Sequence, residues 1–169
     1  IQNVDSLKQE RRKANTDALT GLFNRGFFNE QFDRLADQAQ LEGRPLSLIL
    51  LDVDNFKKYN DTYGHPAGDQ LLKVLATVLS EAVREQDILA RYGGEEFVVI
   101  LKNADNELAL QIGERIRHSV ATIPDGMLRS PISVSAGGGT LPDHAKDRIS
   151  LLEYTDKSLY HAKQTGKDR

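Results

Sequence analysis

The chain has 169 residues, of which 39% are hydrophobic and 28% charged; this is typical of one globular domain and argues against a disordered or fibrous protein. Its net charge of −3 argues against a general nucleic-acid-binding protein, because there is no excess of basic residues to neutralise many phosphates, although one or two nucleotide phosphates could be bound. There is no cysteine, so disulfide bonds, zinc–thiolate sites and a thiol nucleophile are excluded.

The amino-terminal segment, residues 1–16, is polar and helix-prone with few apolar side chains, so little of it can be buried. We interpret it as a linker helix that continues from an amino-terminal sensor domain of a longer parent protein. A solvated, frayed terminus explains these residues equally well. No apolar run is long enough to cross a bilayer and no signal-peptide pattern opens the sequence, so we expect a soluble domain.

The next part of the chain is predicted to form a helix, a strand and two helices. Residues Arg25–Leu41 have apolar side chains at helical spacing, and Gly43 ends the pattern. Residues Leu46–Val53 form a nearly continuous apolar run of strand length, which is typical of a central strand buried on both faces. A short helix is predicted over Asn55–Tyr63 and a longer amphipathic helix over Ala67–Val83.

A β-hairpin is predicted next, because the β-prone segments Ile88–Ala90 and Phe97–Leu101 flank the pair Gly93-Gly94. A two-residue Gly-Gly loop suits the primed turns, which require positive φ angles. Asp105 is predicted to cap a helix whose apolar residues recur at helical spacing as far as Val120.

The last predicted elements are a strand and a helix. Residues Ile132–Ala136 alternate between apolar and polar, as a strand with one buried face should. Ser150 and Glu153 form a capping-box pattern that opens a helix ending near Gly166. Helices and strands are intermixed and one strand pair is antiparallel, so the class is α/β or α+β with a mixed sheet.

Acidic residues occur at two places, directly after the hairpin glycines and at the end of the buried strand. Glu95 and Glu96 come directly after Gly93-Gly94, and Asp52 lies at the end of the Leu46–Val53 strand. An aspartate in such a position is costly unless it has a partner, and a hard divalent cation is one such partner. Asp52 and a hairpin acid could therefore bind a magnesium ion together. An ordinary hairpin with solvated acids is the alternative.

Three motifs together resemble the GGDEF domains, which are diguanylate cyclases. They are Asp17–Arg25 (DALTGLFNR), the region from Asp52-Val53-Asp54 to Asp69, and Arg91–Phe97, which contains the Gly-Gly-Glu-Glu-Phe variant of the signature. The resemblance covers residues 17–169. It implies a mixed, mostly antiparallel five-stranded sheet flanked by helices, related to the palm of nucleotidyl cyclases and polymerases.

The resemblance also implies a reaction and its metal site. Members of the family join two GTP molecules into cyclic di-GMP and release two pyrophosphates, using Mg²⁺ or Mn²⁺, with two ions for each GTP. The implied catalytic residues are Asp52, Glu95 and Glu96. Successive side chains alternate across an extended strand, so Glu96 should point away from Glu95, and we expect it to support the site without being a direct metal ligand. The implied metal ligands are the carboxylates of Asp52 and Glu95 and the backbone carbonyl of Val53. Asp54 is better interpreted as a structural hydrogen-bond acceptor.

Substrate contacts are implied at several further positions. Asn60 and Asp69 match the pair that reads guanine, and an aspartate can accept from the guanine N1 and N2 protons, which adenine lacks on that edge. The remaining implied contacts are His65 beside the base, and Phe56, Lys57, Lys163 and Lys167 near the phosphates. Arginine is common in the family at the position of Lys167. Arginine can form two hydrogen bonds to one phosphate, whereas lysine provides a single point charge. A turn histidine and solvated lysines are the alternatives.

Arg84 and Asp87 fit the RxxD site at which the family binds its product as an inhibitor, and Arg115 matches a secondary contact. The expected partners are therefore GTP, cyclic di-GMP and a second copy of the domain, since each domain holds one GTP. We expect a cytoplasmic domain, whether or not its parent is anchored in the bacterial inner membrane. A non-catalytic receptor for cyclic di-GMP or GTP, or a purely structural domain, is the alternative.

Overall fold

The computed structural model describes residues 2–169, so Ile1, the first residue of the predicted linker, lies outside the described part. Six helices and four strands are assigned within that range. In chain order they are α1 Gln2–Asn15, α2 Arg25–Glu42, β1 Leu46–Val53, α3 Phe56–Tyr63, α4 His65–Ala82, β2 Ile88–Arg91, β3 Glu96–Lys102, α5 Asn106–Ala121, β4 Val134–Leu141 and α6 Arg148–Gln164.

The four strands form one sheet in the order β2-β3-β1-β4, with every neighbouring pair antiparallel. The predicted α/β class, with a mostly antiparallel sheet between helices, is confirmed. The predicted number of five strands is wrong for residues 2–169. Phe23 makes only single-residue bridges, antiparallel to Thr16 and parallel to Ala90, and such bridges are too short to form another strand.

Helices cover both faces of the sheet, and this explains why all eight residues of β1 are buried. On one face Ile49 and Leu51 pack in a core with residues of α4 and α5. On the other face Leu48 and Leu50 pack with residues of α2 and α6, including the fully buried Phe28. Successive side chains of a strand point to opposite faces, so β1 contributes residues to both cores. This packing fixes the position of the carboxyl end of the strand.

β4 is longer than predicted, because it continues through Gly137, Gly138 and Gly139 to Leu141. Glycine is unfavourable in a strand, and this is why the predicted strand ends at Ala136. The packing of α6 requires these glycines. A Cβ at Gly137 would lie 2.1 Å from the backbone nitrogen of Leu159, so a side chain there would push the helix away from the sheet.

Two helix starts differ from the prediction. α4 begins at His65, two residues early, with Pro66 in its first turn, where the missing N–H costs nothing. α6 begins at Arg148, because Asp147 is its N-cap. The Asp147 carboxylate accepts from the Ser150 backbone N–H at 2.8 Å, and the Ser150 hydroxyl accepts from the Asp147 N–H. The predicted Ser150–Glu153 box is therefore wrong, whereas the predicted Asp105 cap of α5 is confirmed.

The hairpin between β2 and β3 is confirmed, but its predicted turn is wrong. The loop has four residues, Tyr92 to Glu95, and neither Gly93 nor Gly94 has a positive φ. The backbone N–H groups of Tyr92 and Gly93 both donate to the carbonyl of Glu96, at 2.8 and 3.2 Å. A wider loop leaves both glycines near the tip, and a Cβ at Gly94 would meet nothing within 4 Å.

The amino-terminal segment is helical, as predicted, and its role as a linker stays a prediction. Val4 and Leu7 are 55% and 53% exposed, so α1 adds little to the two cores. None of the helices within residues 2–169 combines the length and the apolar character needed to cross a bilayer.

Candidate active site

The end of β1 brings two acidic residues together. In the antiparallel register of β1 and β3, Asp52 lies directly opposite Glu96, so their side chains share one face of the sheet. Asp52 is only 5% exposed. Glu95 is linked through its backbone, since its carbonyl accepts from the Val53 N–H at 3.2 Å. The residue opposite Asp52 is thus Glu96, which the sequence assigned a supporting role, and the division of work between the glutamates stays a prediction.

A lysine already neutralises this acidic pair. Lys163 of α6 places its Nζ 2.8 Å from Oδ2 of Asp52. Burial raises the pKa of Glu96, and the charges of Asp52 and Glu95 raise it further, while Lys163 opposes them. The acids at the end of β1 are therefore poorly solvated and lie close together, an arrangement that favours a cation beside them.

The donor atoms available here fit a hard divalent cation. Within residues 2–169 no three histidine, cysteine, aspartate or glutamate side chains converge to hold a metal unaided. Magnesium is commonly bound through one or two carboxylates together with substrate phosphates, so a site of this kind needs no third acid. Asp52 already pairs with a cation, the Lys163 ammonium, through its Oδ2. Asp52, together with a glutamate of the hairpin, therefore provides suitable ligands for Mg²⁺ or Mn²⁺.

Asp54 has a different environment from Asp52, although it is only two residues away. The hydroxyls of Ser133 and Ser135 each donate to its carboxylate at 2.6 Å, and the Asp168 N–H donates at 3.1 Å. The carboxylate therefore ties the end of β1 to the residues around β4 and to the carboxyl-terminal tail. This agrees with its interpretation as a structural acceptor.

Asn60 and Asp69, the predicted guanine-reading residues, lie on the adjacent helices α3 and α4. The Asn60 Oδ1 is buried and has no hydrogen-bond partner within residues 2–169. Its side chain lies against Gly68, where a Cβ would be 1.7 Å from Oδ1. Asp69 follows Gly68 and is exposed, as is His65. A buried polar atom without a partner is rare in proteins and marks this pair as a candidate ligand contact.

The predicted phosphate contacts gather near the end of β1. Asn55, in the left-handed conformation with φ 56°, precedes the first helical residue of α3 and makes no side-chain cap. The N–H groups of Phe56 and Lys57 are thus at an uncapped helix start. The ammonium group of Lys167 donates to Asn55 Oδ1 at 2.7 Å, and Lys163 pairs with Asp52. Two basic residues from the end of the chain therefore flank the loop that follows β1.

Arg84 and Asp87 form a closed pair. The Arg84 side chain donates to both carboxylate oxygens, with Nη2–Oδ1 at 2.7 Å and Nε–Oδ2 at 3.0 Å, and its backbone N–H donates as well. Nη2 also reaches the Lys102 carbonyl at 2.7 Å. The Asp87 side chain has no exposed surface, so this pair must open before Asp87 can accept from guanine. Arg115 donates to the Ala82 carbonyl at 2.6 Å, at the end of α4.

Arg91 fixes the hairpin tip in a way that the sequence did not reveal. Its Nη1 lies 3.2 Å from both carboxylate oxygens of Asp17, and its Nη2 donates to the Gly94 carbonyl at 2.8 Å. Asp17 and Arg91 belong to two of the motifs that carry the family resemblance, but those motifs do not predict a contact between them. Arg25 adds a second link, since its guanidinium lies 4.2 Å from the ring centre of Tyr92. The loop that carries Glu95 is thus held by the segment that follows α1.

We expect Asp17→Asn to lower the melting temperature at pH 7 by about 2–4 °C. Burial raises the pKa of Asp17, but the hydrogen bonds from Thr20 and the charge of Arg91 outweigh burial and hold the pKa below its ordinary value of 3.8. A depressed pKa means that the carboxylate stabilises the fold above pH 3.8, and this contribution is lost as pH falls through the folded-state pKa.

Thermal melts of Asp17→Asn and the wild type from pH 7 to pH 3 test this expectation. The difference in melting temperature should be constant near neutrality and should narrow as pH falls below 3.8. Asp37→Asn, on the exposed side of α2, is the matched control. A difference that stays the same down to pH 3 would contradict the assignment of a stabilising charge to Asp17.

Comparisons with known proteins agree with these features. A family model described as "Diguanylate cyclase, GGDEF domain" matches residues 14–169. The chain is 38% identical over 164 residues to diguanylate cyclase DgcP of Pseudomonas aeruginosa, which covers 96% of this chain and 24% of the relative. It thus spans about a quarter of the length of that curated relative.

Two solved structures are similar along most of the chain. The crystal structure of the coiled coil and GGDEF domain of DgcB from Caulobacter crescentus, in complex with c-di-GMP, has a TM-score of 0.91 and 32% identity, covering 99% of this chain and 90% of that one. The active GGEEF domain of a diguanylate cyclase from Vibrio cholerae has a TM-score of 0.81 and 34% identity, covering 86% of this chain and 94% of that one.

Proposed function

The chain belongs to the GGDEF domain family, and from that premise we propose that it is a diguanylate cyclase that condenses two GTP molecules into cyclic di-GMP and releases two pyrophosphates. The observation that carries the proposal is the cluster at the end of β1, where Asp52 lies opposite Glu96 and pairs with Lys163 at 2.8 Å. Such a group of acids beside a base suits a metal-bound triphosphate better than it suits a structural role.

Each part of the site has a task in this proposal. Asp52 and Glu95, with the Val53 carbonyl, hold Mg²⁺ or Mn²⁺, and Glu96 supports them from the strand opposite Asp52. When bound, such ions activate the attacking ribose 3′-hydroxyl and neutralise the leaving pyrophosphate. The Phe56 and Lys57 amides contact the phosphates at the start of α3, and Lys163 and Lys167 neutralise their charge.

The orientation of the base depends on residues of α3 and α4. Asn60 and Asp69 contact the guanine edge, and His65 lies between them in the sequence. Because each domain contains one such arrangement, the condensation requires two domains that face each other across a two-fold axis, as the symmetry of the product suggests. In this proposal a homodimer is the catalytic unit, and the amino-terminal helix α1 controls its formation.

The direct test is incubation of the purified chain with GTP and Mg²⁺, followed by measurement of pyrophosphate and cyclic di-GMP. We expect equal amounts of GTP consumed and pyrophosphate released, with half as much cyclic di-GMP formed. The oligomeric state is measured in parallel. A folded dimer that binds cyclic di-GMP but forms neither product would contradict the proposal and favour the receptor alternative.

We further propose product inhibition through Arg84 and Asp87. Removing Arg84 alone would leave a buried, unpaired Asp87, which destabilises proteins strongly. The double variant Arg84→Met with Asp87→Asn removes both charges. It is expected to raise the cyclic di-GMP concentration that halves the initial rate by at least about tenfold, because a bidentate arginine contact is lost. The uninhibited rate should be retained.

Initial rates of pyrophosphate release at increasing cyclic di-GMP measure this effect. Arg117→Met is the matched control, since Arg117 lies partly exposed on α5 and pairs with Glu114 and Asp168, outside the RxxD site. Equal inhibition of the double variant and the wild type would show that product acts elsewhere.

A further inference from the structure

Lys163 pairs with Asp52, one of the proposed metal ligands. Its Nζ lies 2.8 Å from Oδ2, and the Lys163 side chain is 34% exposed while that of Asp52 is 7% exposed. The attraction between the two charges is only partly screened by water, because the carboxylate is buried although the ammonium group is partly exposed. A divalent ion that binds Asp52 must therefore compete with the positive charge of the ammonium group.

Other acids near the pair are Glu96, Glu95 and Asp156, and the charges of the last two act on the pKa of Glu96. Within residues 2–169 the ion pair of Lys163 is with Asp52 and not with these acids. Glu96 faces Asp52 across the strands and would be drawn toward the metal itself. Within residues 2–169 no cluster of three metal-binding side chains completes a coordination shell without help. A bound triphosphate would help in two ways, since its oxygens can complete the metal shell and its charge can accept the lysine.

We propose that Lys163 is a positioning residue that blocks metal binding at Asp52 until a nucleotide triphosphate arrives, and that it then moves from Asp52 to the phosphates. This inference rests on the proposed function and adds an order of binding to it. Metal and nucleotide therefore bind together. When no nucleotide is bound, Lys163 stays paired with Asp52. The lysine thereby prevents free divalent ions from occupying the site without substrate.

The test measures Mn²⁺ binding in the absence of any nucleotide, from the paramagnetic resonance signal of free Mn²⁺ at pH 8. The variant Lys163→Met removes the charge, and Lys163→Gln removes it while keeping a hydrogen-bond donor for Asp52. Both are expected to bind Mn²⁺ at least about tenfold more tightly than the wild type. Lys163→Arg, which keeps the charge, is expected to bind as weakly as the wild type.

Two further variants identify the site. Lys157→Met is the matched control, because Lys157 is exposed on the same helix α6 and does not pair with Asp52. It should leave Mn²⁺ affinity unchanged. Adding Asp52→Asn to Lys163→Met should abolish the tighter binding. Melting curves confirm that each variant is folded, and the glutamine variant serves if the methionine variant is unstable.

The proposal is overturned if folded Lys163→Met and Lys163→Gln bind Mn²⁺ no more tightly than the wild type. Cyclic di-GMP synthesis by the wild type separates this failure from that of the proposed function. Synthesis without any change in Mn²⁺ affinity rejects only the role of Lys163. Tighter Mn²⁺ binding in the neutral variants without synthesis by the wild type supports the role of Lys163 and rejects the cyclase.

Discussion

Replacing Asp52 by asparagine is expected to reduce cyclic di-GMP synthesis by at least about a thousandfold, since a metal that neutralises transition-state charge contributes several kcal/mol. Asparagine has the same shape but cannot supply a negative charge to Mg²⁺ or Mn²⁺. Asp52 lies at the buried end of β1. The next aspartate, Asp54, is already held by two serine hydroxyls and is not free to replace it. The measurement is the initial rate of pyrophosphate release with GTP and Mg²⁺.

The fold should survive this substitution. Asp52→Asn loses the ion pair with Lys163 but also removes repulsion from Glu96, whose pKa the Asp52 charge helps to raise. These effects oppose each other, so we expect a melting temperature within a few degrees of the wild type. Asp37→Asn, exposed on α2, is the matched control and should keep full activity. An Asp52→Asn variant that retains a tenth of the wild-type rate would exclude a metal role for this residue.

Local patterns were sufficient to predict most of the helices and β1. In α2 the apolar residues recur at helical spacing because one face of the helix is buried. In β1 they form an unbroken run because both faces of the strand are buried. Burial patterns of this kind can be identified in the sequence itself. The end of β4 could not be predicted in this way. Gly137 and Gly139 are required by the close approach of α6, and that contact joins segments far apart in the chain.

The sequence predicted which residues form the site, but not which of them contact one another. Asp52 at the end of a buried strand signalled a partner from its cost alone, and the motifs indicated the hairpin acids. The register that sets Glu96 opposite Asp52 depends on a strand pairing that a turn of different length would shift. The contacts of Lys163 with Asp52 and of Arg91 with Asp17 likewise come from tertiary packing, and no local pattern records them.

Replacing Asp69 by alanine is expected to lower kcat/KM for GTP by roughly a hundredfold and to change the rate with ATP little. A site that hydrogen-bonds a substrate group discriminates strongly against analogues that lack it, and the guanine N1 and N2 protons are such groups. The ratio of GTP to ATP turnover should therefore fall. Gln70→Ala, the next exposed position of α4, is the matched control. An unchanged ratio in Asp69→Ala would reject the assignment.

A second substitution tests the same pocket without touching its charges. Gly68→Ala would place a Cβ 1.7 Å from Oδ1 of Asn60, so the amide must leave its position against α4. Helix propensity favours alanine over glycine, which offsets part of the strain and leaves a folded protein. If Asn60 and Asp69 read guanine together, both variants should lose GTP selectivity. A Gly68→Ala protein with normal GTP selectivity would leave Asp69 as the sole reader and remove Asn60 from the base-recognition site.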